Sequence, residues 1–201
     1  MICSQLVKRY GGMDVLRGFT AEFPEGRTTA VMAASGAGKT TLLRILAGLE
    51  KPDGGELRGL SGRRLSMVFQ EDRLCMGLGA SANIRLANPG LTRQELREAL
   101  AAVGLPADER PVSEYSGGMR RRAAILRAVL FDGDLLLLDE PFRGLDRDTR
   151  QKAVDYITAK WKGRTVILVT HDPEEPRLMG ADSVIDMTEH ERVWHKGEGQ
   201  L

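Results

Sequence analysis

With 201 residues, 29 basic and 28 acidic side chains, the chain has no global field to attract nucleic acid or a membrane surface. That length suits one domain, or one domain with a small appended lobe. Two cysteines, Cys3 and Cys75, lie far apart without metal-ligand spacing, which argues against a disulfide scaffold and for reduced thiols.

The N-terminal stretch MICSQLVKRY lacks the long apolar core of a signal peptide, and no apolar run approaches the roughly 18 residues that span a bilayer. The first thirty residues alternate strand-like runs with turns: SQLVKRY, GG, FTAEF, PEG, TTAVMAA. They predict a small, mainly antiparallel β element leading into the strand before a Gly-rich loop. That loop, VMAASGAGKTT from residue 31 to 41, nearly spells the phosphate-binding pattern G-x-x-x-x-G-K-S/T, with Ala33 where the first glycine is usual. LLRILAGL then predicts a helix ending at Gly48, and LSMVFQ a strand.

From about residue 80 to 131 the pattern is helical without a strand signal. Thr92 and Glu95 are placed as a capping box, Leu91 and Leu96 as a hydrophobic staple, and Gly104 then Pro106 as the stop. A further helix opens at YSGGMRRRAAILRAVLF. The α/β alternation resumes with DLLLLDEP as a buried strand, DRDTRQKAVDYITAKW as a helix, TVILVT as a strand and PEEPRLMG as a short helix. SVIDM and RVW close the chain as strands.

A Gly-rich loop between strand and helix leaves backbone N–H groups free to meet phosphate oxygens, and the helix N-terminus adds positive potential. In that frame Ser35, Gly36, Ala37, Gly38 and Thr41 cradle phosphate, Lys39 reaches the β- and γ-phosphates, and the Thr40 hydroxyl ligates Mg²⁺. Ala33 leaves a strand, where neither positive φ nor a missing Cβ is required, so the loop is expected to tolerate it. Asp139 and Glu140 end a buried strand at the carboxyl edge of an open α/β sheet, where ligands bind. Asp139 suits the surroundings of Mg²⁺, and Glu140 the polarisation of an attacking water. Alone, an apolar run ending in acids is weak evidence; beside Lys39 it is strong. Isolated, SGG would more often be an ordinary helix cap, and Arg120, Arg121 and Arg122 are expected at solvated positions of the helix that follows, with some of them contacting the insert or the partner chain.

The order of these features resembles the ATP-binding cassette (ABC) ATPases. YSGGMRRRAAILRA is similar to the family's signature, usually written LSGGQ, with Tyr115 for leucine and Met119 for glutamine. Tyr10 in VKRYGG matches the aromatic that stacks on adenine. Gln70 in MVFQEDRL matches the glutamine that senses Mg²⁺ and the attacking water. Asp146 in FRGLD matches the D-loop, and His171 in LVTHDPEE the switch histidine.

The resemblance implies an α/β fold: a P-loop NTPase core with an N-terminal antiparallel β element and a helical insert. All of 1–201 would form one ABC ATPase domain, with the α/β core at about 1–70 and 132–201 and the helical subdomain at about 71–131. ATP and Mg²⁺ are the implied ligands. Glu140, His171, Gln70 and Lys39 form the implied catalytic set, with Thr40, Gln70 and Asp139 around the metal. Ser116, Gly117 and Gly118, at a helix start, would hold the γ-phosphate bound by a second copy of the chain. Two copies would pack head to tail about a two-fold axis and enclose two ATP molecules.

FQEDRL, SGGMRRR, EPFRGLD and THDPEE together resemble the ATPase subunits of bacterial importers for nitrate, sulfonate, taurine and related solutes. That implies a cytoplasmic protein held on the inner face of the membrane by a separate permease, a solute-binding protein in the full system, and no nucleic-acid partner. Two departures stand out. Cys75 to Ile84, CMGLGASANI, replaces a Leu-Pro-Trp-like run where the coupling helix of a permease would dock. Pro176 is expected to remove the first hydrogen bond of a helix capped by Asp172 and to displace the turn beside His171. A soluble ABC ATPase acting on nucleic acid or ribosomes is the competing reading, although such proteins usually carry paired cassettes or large inserts. A P-loop kinase explains Lys39 and Asp139 but leaves Ser116, Gln70 and His171 without work.

Overall fold

The computed structural model describes residues 1–34 and 36–187, together with the backbone of a strand at 193–195. Strands β1 (Ile2–Tyr10) and β2 (Met13–Glu22) pair antiparallel across Gly11 and Gly12, whose φ angles of +55° and +84° suit a tight hairpin turn. After β3 (Thr28–Met32) and α1 (Lys39–Leu46), strand β4 (Gly54–Arg58) returns to pair with the other edge of β1. The three-stranded sheet therefore runs β2-β1-β4, and its third member comes from after the loop. GGELR carries no alternating apolar pattern, so this polar edge strand gave no period-2 signal in the sequence. Gly55 is required there: a Cβ would lie 2.2 Å from the Gln5 carbonyl oxygen, at a bulge where Gln5 has φ +51°.

The second sheet runs β5-β6-β7-β3-β8-β9, with β5 at Leu65–Val68, β6 at Leu135–Asp139, β7 at Thr165–Thr170, β8 at Ser183–Asp186 and β9 at Val193–His195. Every pairing from β5 to β8 is parallel, and only β9 runs antiparallel. Helices α5 (Arg147–Lys160) and α6 (Glu174–Leu178) serve the crossovers around β7. β6 and β7 are buried along their whole length, as expected of central parallel strands. Leu135 to Leu138 are each no more than 1% exposed, and burial of each such side chain stabilises by about 1.5–3 kcal/mol. The two faces of this sheet feed two separate apolar clusters. One consequence matters most for chemistry. The loops after β3, β5, β6 and β7 all leave the same carboxyl edge.

Between β5 and β6 the chain forms helices α2 (Ala80–Ala87), α3 (Arg93–Ala102) and α4 (Gly117–Val129) around a third apolar cluster. The Thr92 side chain accepts from the Glu95 amide while Glu95 accepts from the Thr92 amide, and Leu91 and Leu96 pack into the same cluster. At the other end Leu105 N–H donates to Leu100 O and Gly104 N–H to Ala101 O, with Gly104 at φ +68°. That is a Schellman stop. Tyr115 is buried in this cluster and donates its hydroxyl to Asp108 at 3.0 Å, so the ring fills a leucine's place while its polar tip stays satisfied. Asn83, fully buried, pins the turn before α2 through Cys75 N–H and the carbonyls of Cys75, Leu78 and Gly79.

The helix is capped by Pro173 and not by Asp172, so Pro176 is its third residue, where no intrahelical hydrogen bond is lost. The Asp172 carbonyl that Pro176 cannot serve accepts from the Glu175 amide at 3.2 Å, and the Asp172 carboxylate accepts from the Glu174 amide at 2.9 Å. Glu175 is 6% exposed, and one of its carboxylate oxygens has no hydrogen-bond partner among the described residues. Burial pushes its carboxyl pKa up. Between the ordinary carboxylate range and that raised value the folded state binds more proton than the unfolded state, so stability falls as pH rises through this window. Glu175→Gln removes that loss. Its gain in melting temperature is expected to be larger near about pH 8 than near about pH 5, which thermal melts at the two values would check.

Candidate active site

The loop after β3 is shaped by glycine. Gly38 caps α1 at φ +88°, and a Cβ there would stand 3.0 Å from the Val15 carbonyl oxygen; Gly36 has φ +84°. Ser35 lies outside the described residues. Lys39, the first residue of α1, is only 6% exposed. Its ammonium donates to Ala33 O at 2.7 Å and Ala34 O at 2.9 Å, and stands 3.9 Å from a Glu140 carboxylate oxygen. Ala33 has no positive φ, and its Cβ sits in the apolar cluster beneath the loop. It meets the site through its carbonyl, a group any residue carries.

Asp139 ends β6 at 1% exposure and accepts a hydrogen bond from the Thr40 hydroxyl at 2.9 Å. Burial pushes its carboxyl pKa up, so a cation placed beside it would relieve a desolvated anion. The Thr40 hydroxyl and this carboxylate are hard oxygen donors. Among the described residues no group of three or more His, Cys, Asp or Glu is gathered for a metal. The two oxygen donors fit Mg²⁺, which keeps water and phosphate oxygens in its shell and takes few protein ligands.

Glu140 follows with φ +44°, a left-handed conformation unfavourable for a residue with a Cβ. The turn aims its carboxylate at Lys39 on one side and at His171, just past β7, whose Nδ1 lies 3.1 Å away. Gly36, Gly38, Lys39, Thr40, Thr41, Gln70, Glu140 and Val15 line one cavity of about 220 Å³. Ala37, in the same loop, is partly buried and packs against the apolar cluster beneath it. At its rim the half-exposed Tyr10 donates its hydroxyl to Glu50 and lies against the Thr41 hydroxyl. Strand ends β3, β5, β6 and β7 thus bring Lys39, Gln70, Asp139, Glu140 and His171 together.

Ser116, Gly117, Gly118 and Asp146 do not line this cavity. Ser116 caps α4, accepting from the Met119 amide, and Gly117 beside it is exposed. Asp146 caps α5 by accepting from the Thr149 amide. Gly118 is packed beside Gly144 and Leu145 of the loop before Asp146, so these residues form a second, outward-facing cluster.

Of the three arginines, Arg121 and Arg122 are buried, at 3% and 8% exposure, not solvated, and Arg122 makes the expected contact with the insert. Arg122 donates to the carbonyls of Val103 and Gly104, closing the end of α3. Arg121 donates to carbonyls on both sides of the cavity. Helical spacing carried the signal, since Arg121, Ile125 and Ala128 fall on one face of α4 and all are buried. Reading the triplet as a charge run hid it.

The family model described as ABC transporter matches residues 16–143. The aliphatic sulfonates import ATP-binding protein SsuB 1 of Rhodococcus jostii is 40% identical over 211 residues, covering 96% of this chain and 85% of that protein. SsuB 2 of Agrobacterium fabrum is 42% identical over 200 residues, covering 94% of this chain and 76% of that protein. The dimeric structure of MJ0796, a bacterial ABC transporter cassette, superimposes with a TM-score of 0.83 at 25% identity, covering 96% of this chain and 97% of that one. A dimeric post-hydrolysis state of the same cassette, bound to ADP and Pi, gives 0.81 at 26% identity.

Proposed function

Because the chain belongs to the ABC transporter family, we propose that it is the ATP-hydrolysing subunit of an importer for a small solute. The observation that carries this reading is the set of Lys39, Thr40, Gln70, Asp139, Glu140 and His171 around one cavity at one sheet edge. Loop amides and Lys39 bind the phosphates, Lys39 exchanging its hold on Ala33 and Ala34 for phosphate oxygens. Tyr10 offers its ring to the adenine. Thr40, Gln70 and Asp139 would hold Mg²⁺, whose chemistry there is charge neutralisation on phosphate oxygens. Glu140 draws a proton from the attacking water, and His171 holds the Glu140 carboxylate in place from its other side.

Ser116 to Gly118 stand at the start of α4 outside the chain's own cavity, with Ser116 and Gly117 exposed. This supports a two-fold dimer in which that cluster, with Asp146 beside it, closes on the γ-phosphate held by the other copy. Exposed Met76 and Leu78, on the turn that Asn83 pins, support docking of a membrane permease at 75–79. Among the described residues no helix is long and apolar enough to cross a membrane, so attachment to the cytoplasmic face falls to that permease. A solute-binding protein completes the system. The sulfonate names of the relatives make a sulfonate or similar small anion the first solute to try.

Complementation tests the shared site. Lys39→Ala and Ser116→Arg chains should each be inactive alone, whereas a mixture should regain ATP turnover, because each mixed dimer keeps one intact loop facing one intact Ser116. No recovery in a mixture that forms mixed dimers would refute a site built from two chains.

A further inference from the structure

Arg121 lies on α4, five residues past Ser116, yet its guanidinium points inward to the cavity's back wall. On one side it meets the segment after β6: Nε donates to Pro141 O at 2.9 Å, and one terminal nitrogen donates to Asp139 O at 2.8 Å and Glu140 O at 2.6 Å. On the other side its second terminal nitrogen donates to Phe69 O and, at 3.3 Å, to Gln70 O, with the Asp72 carboxylate 3.4 Å away. Three consecutive carbonyls of the catalytic segment and two of the Gln70 segment therefore converge on one planar fork. Arginine is the side chain with enough rigid donors to do this.

The bonded carbonyls frame the left-handed turn at Glu140. A residue with a Cβ keeps such a conformation only where its surroundings over-determine it. The Glu140 amide is fixed by Val169 O at 2.9 Å, and its carbonyl is fixed by Arg121. We propose that Arg121 is a positioning residue for hydrolysis: it holds the backbone turn that aims Glu140 at Lys39 and His171, and it ties that turn to the Gln70 segment. A shift of α4 or of Gln70 is then felt at Glu140 through a single side chain. Arg127, six residues further along α4, adds bonds to Asp72 O and Arg73 O, so the helix that begins at Ser116 also carries the Gln70 loop.

The inference rests on the hydrolytic reading of Glu140, and the test separates the two. Purified wild-type chain, Arg121→Gln and Arg121→Lys are compared for ATP turnover, for ATP affinity by calorimetry, and for melting temperature. No turnover by the folded wild type would refute the hydrolytic reading itself. With wild type active, Arg121→Gln is expected to lower kcat by about ten- to a hundredfold, at a temperature where it is folded, with ATP affinity within about threefold. Among the described residues the hydrogen-bond partners of Arg121 lie at 69–72 and 139–141 and not in the phosphate-binding loop, which is why affinity is spared. Arg121→Lys keeps the buried charge, but one ammonium cannot span both segments, so it should recover melting temperature and not turnover. Wild-type kcat in folded Arg121→Gln, restored kcat in Arg121→Lys, equal losses of kcat and affinity, or failure of both variants to fold would each overturn the positioning role.

Discussion

Glu140→Gln is expected to lower ATP turnover by about 10²–10⁴-fold while leaving ATP binding intact. Glutamine keeps the length and planarity of the side chain and can still meet His171, whose Nδ1 lies 3.1 Å from the carboxylate. It loses the negative charge that faces Lys39 at 3.9 Å and the ability to take a proton from water. Phosphate binding uses the loop amides and Lys39, which the substitution leaves in place. In the two-chain reading, ATP then stays uncleaved between the copies and the dimer persists. Turnover assays paired with light scattering in ATP would check both halves, and undiminished turnover would remove Glu140 from its role as base.

Lys39→Ala should abolish turnover and weaken ATP binding by about tenfold or more, the scale of a lost charge-assisted hydrogen bond. Ala33→Gly, six residues earlier, should leave affinity and turnover within about threefold. The contrast follows from which atoms face the cavity. Lys39 brings a buried ammonium to it, whereas Ala33 brings only a carbonyl and turns its methyl into the core. Glycine there should instead cost stability, about 0.5–1 kcal/mol from added backbone freedom. A large gain in affinity from Ala33→Gly, measured by calorimetry, would show that the methyl hinders the loop.

The parts of the site that follow strands were legible because the chemistry is written in short runs. GKT after an apolar strand, two acids after four leucines, and a histidine after TVILVT each locate one strand end, and a parallel sheet gathers such ends on one edge. The helical lobe was legible in detail at α3, since Thr92, Glu95 and Gly104 act within a turn or two of themselves. What escaped acts over distance. β4 takes its place from hydrogen bonds to β1 and not from its own apolar pattern. Arg121 spans partners 18 to 52 residues away in sequence, and apart from the Asp72 carboxylate they are backbone carbonyls, which leave no mark in side-chain identity. At Pro176 the reading erred the other way: a local rule foresaw a lost helical hydrogen bond, and a cap at Pro173, one residue later than expected, leaves none to lose.

The backbone at residue 140 sets activity against durability. At φ +44° a glycine would sit at ease, and most mutational drift toward greater stability would favour it. Glutamate persists there at the expense of the fold's own margin, and the surrounding bonds from Val169 and Arg121 are what make that choice tolerable. A descendant of this chain released from the need to split ATP would be expected to relax first at this position, so the residue found at 140 in any relative serves as a gauge of whether its engine still runs.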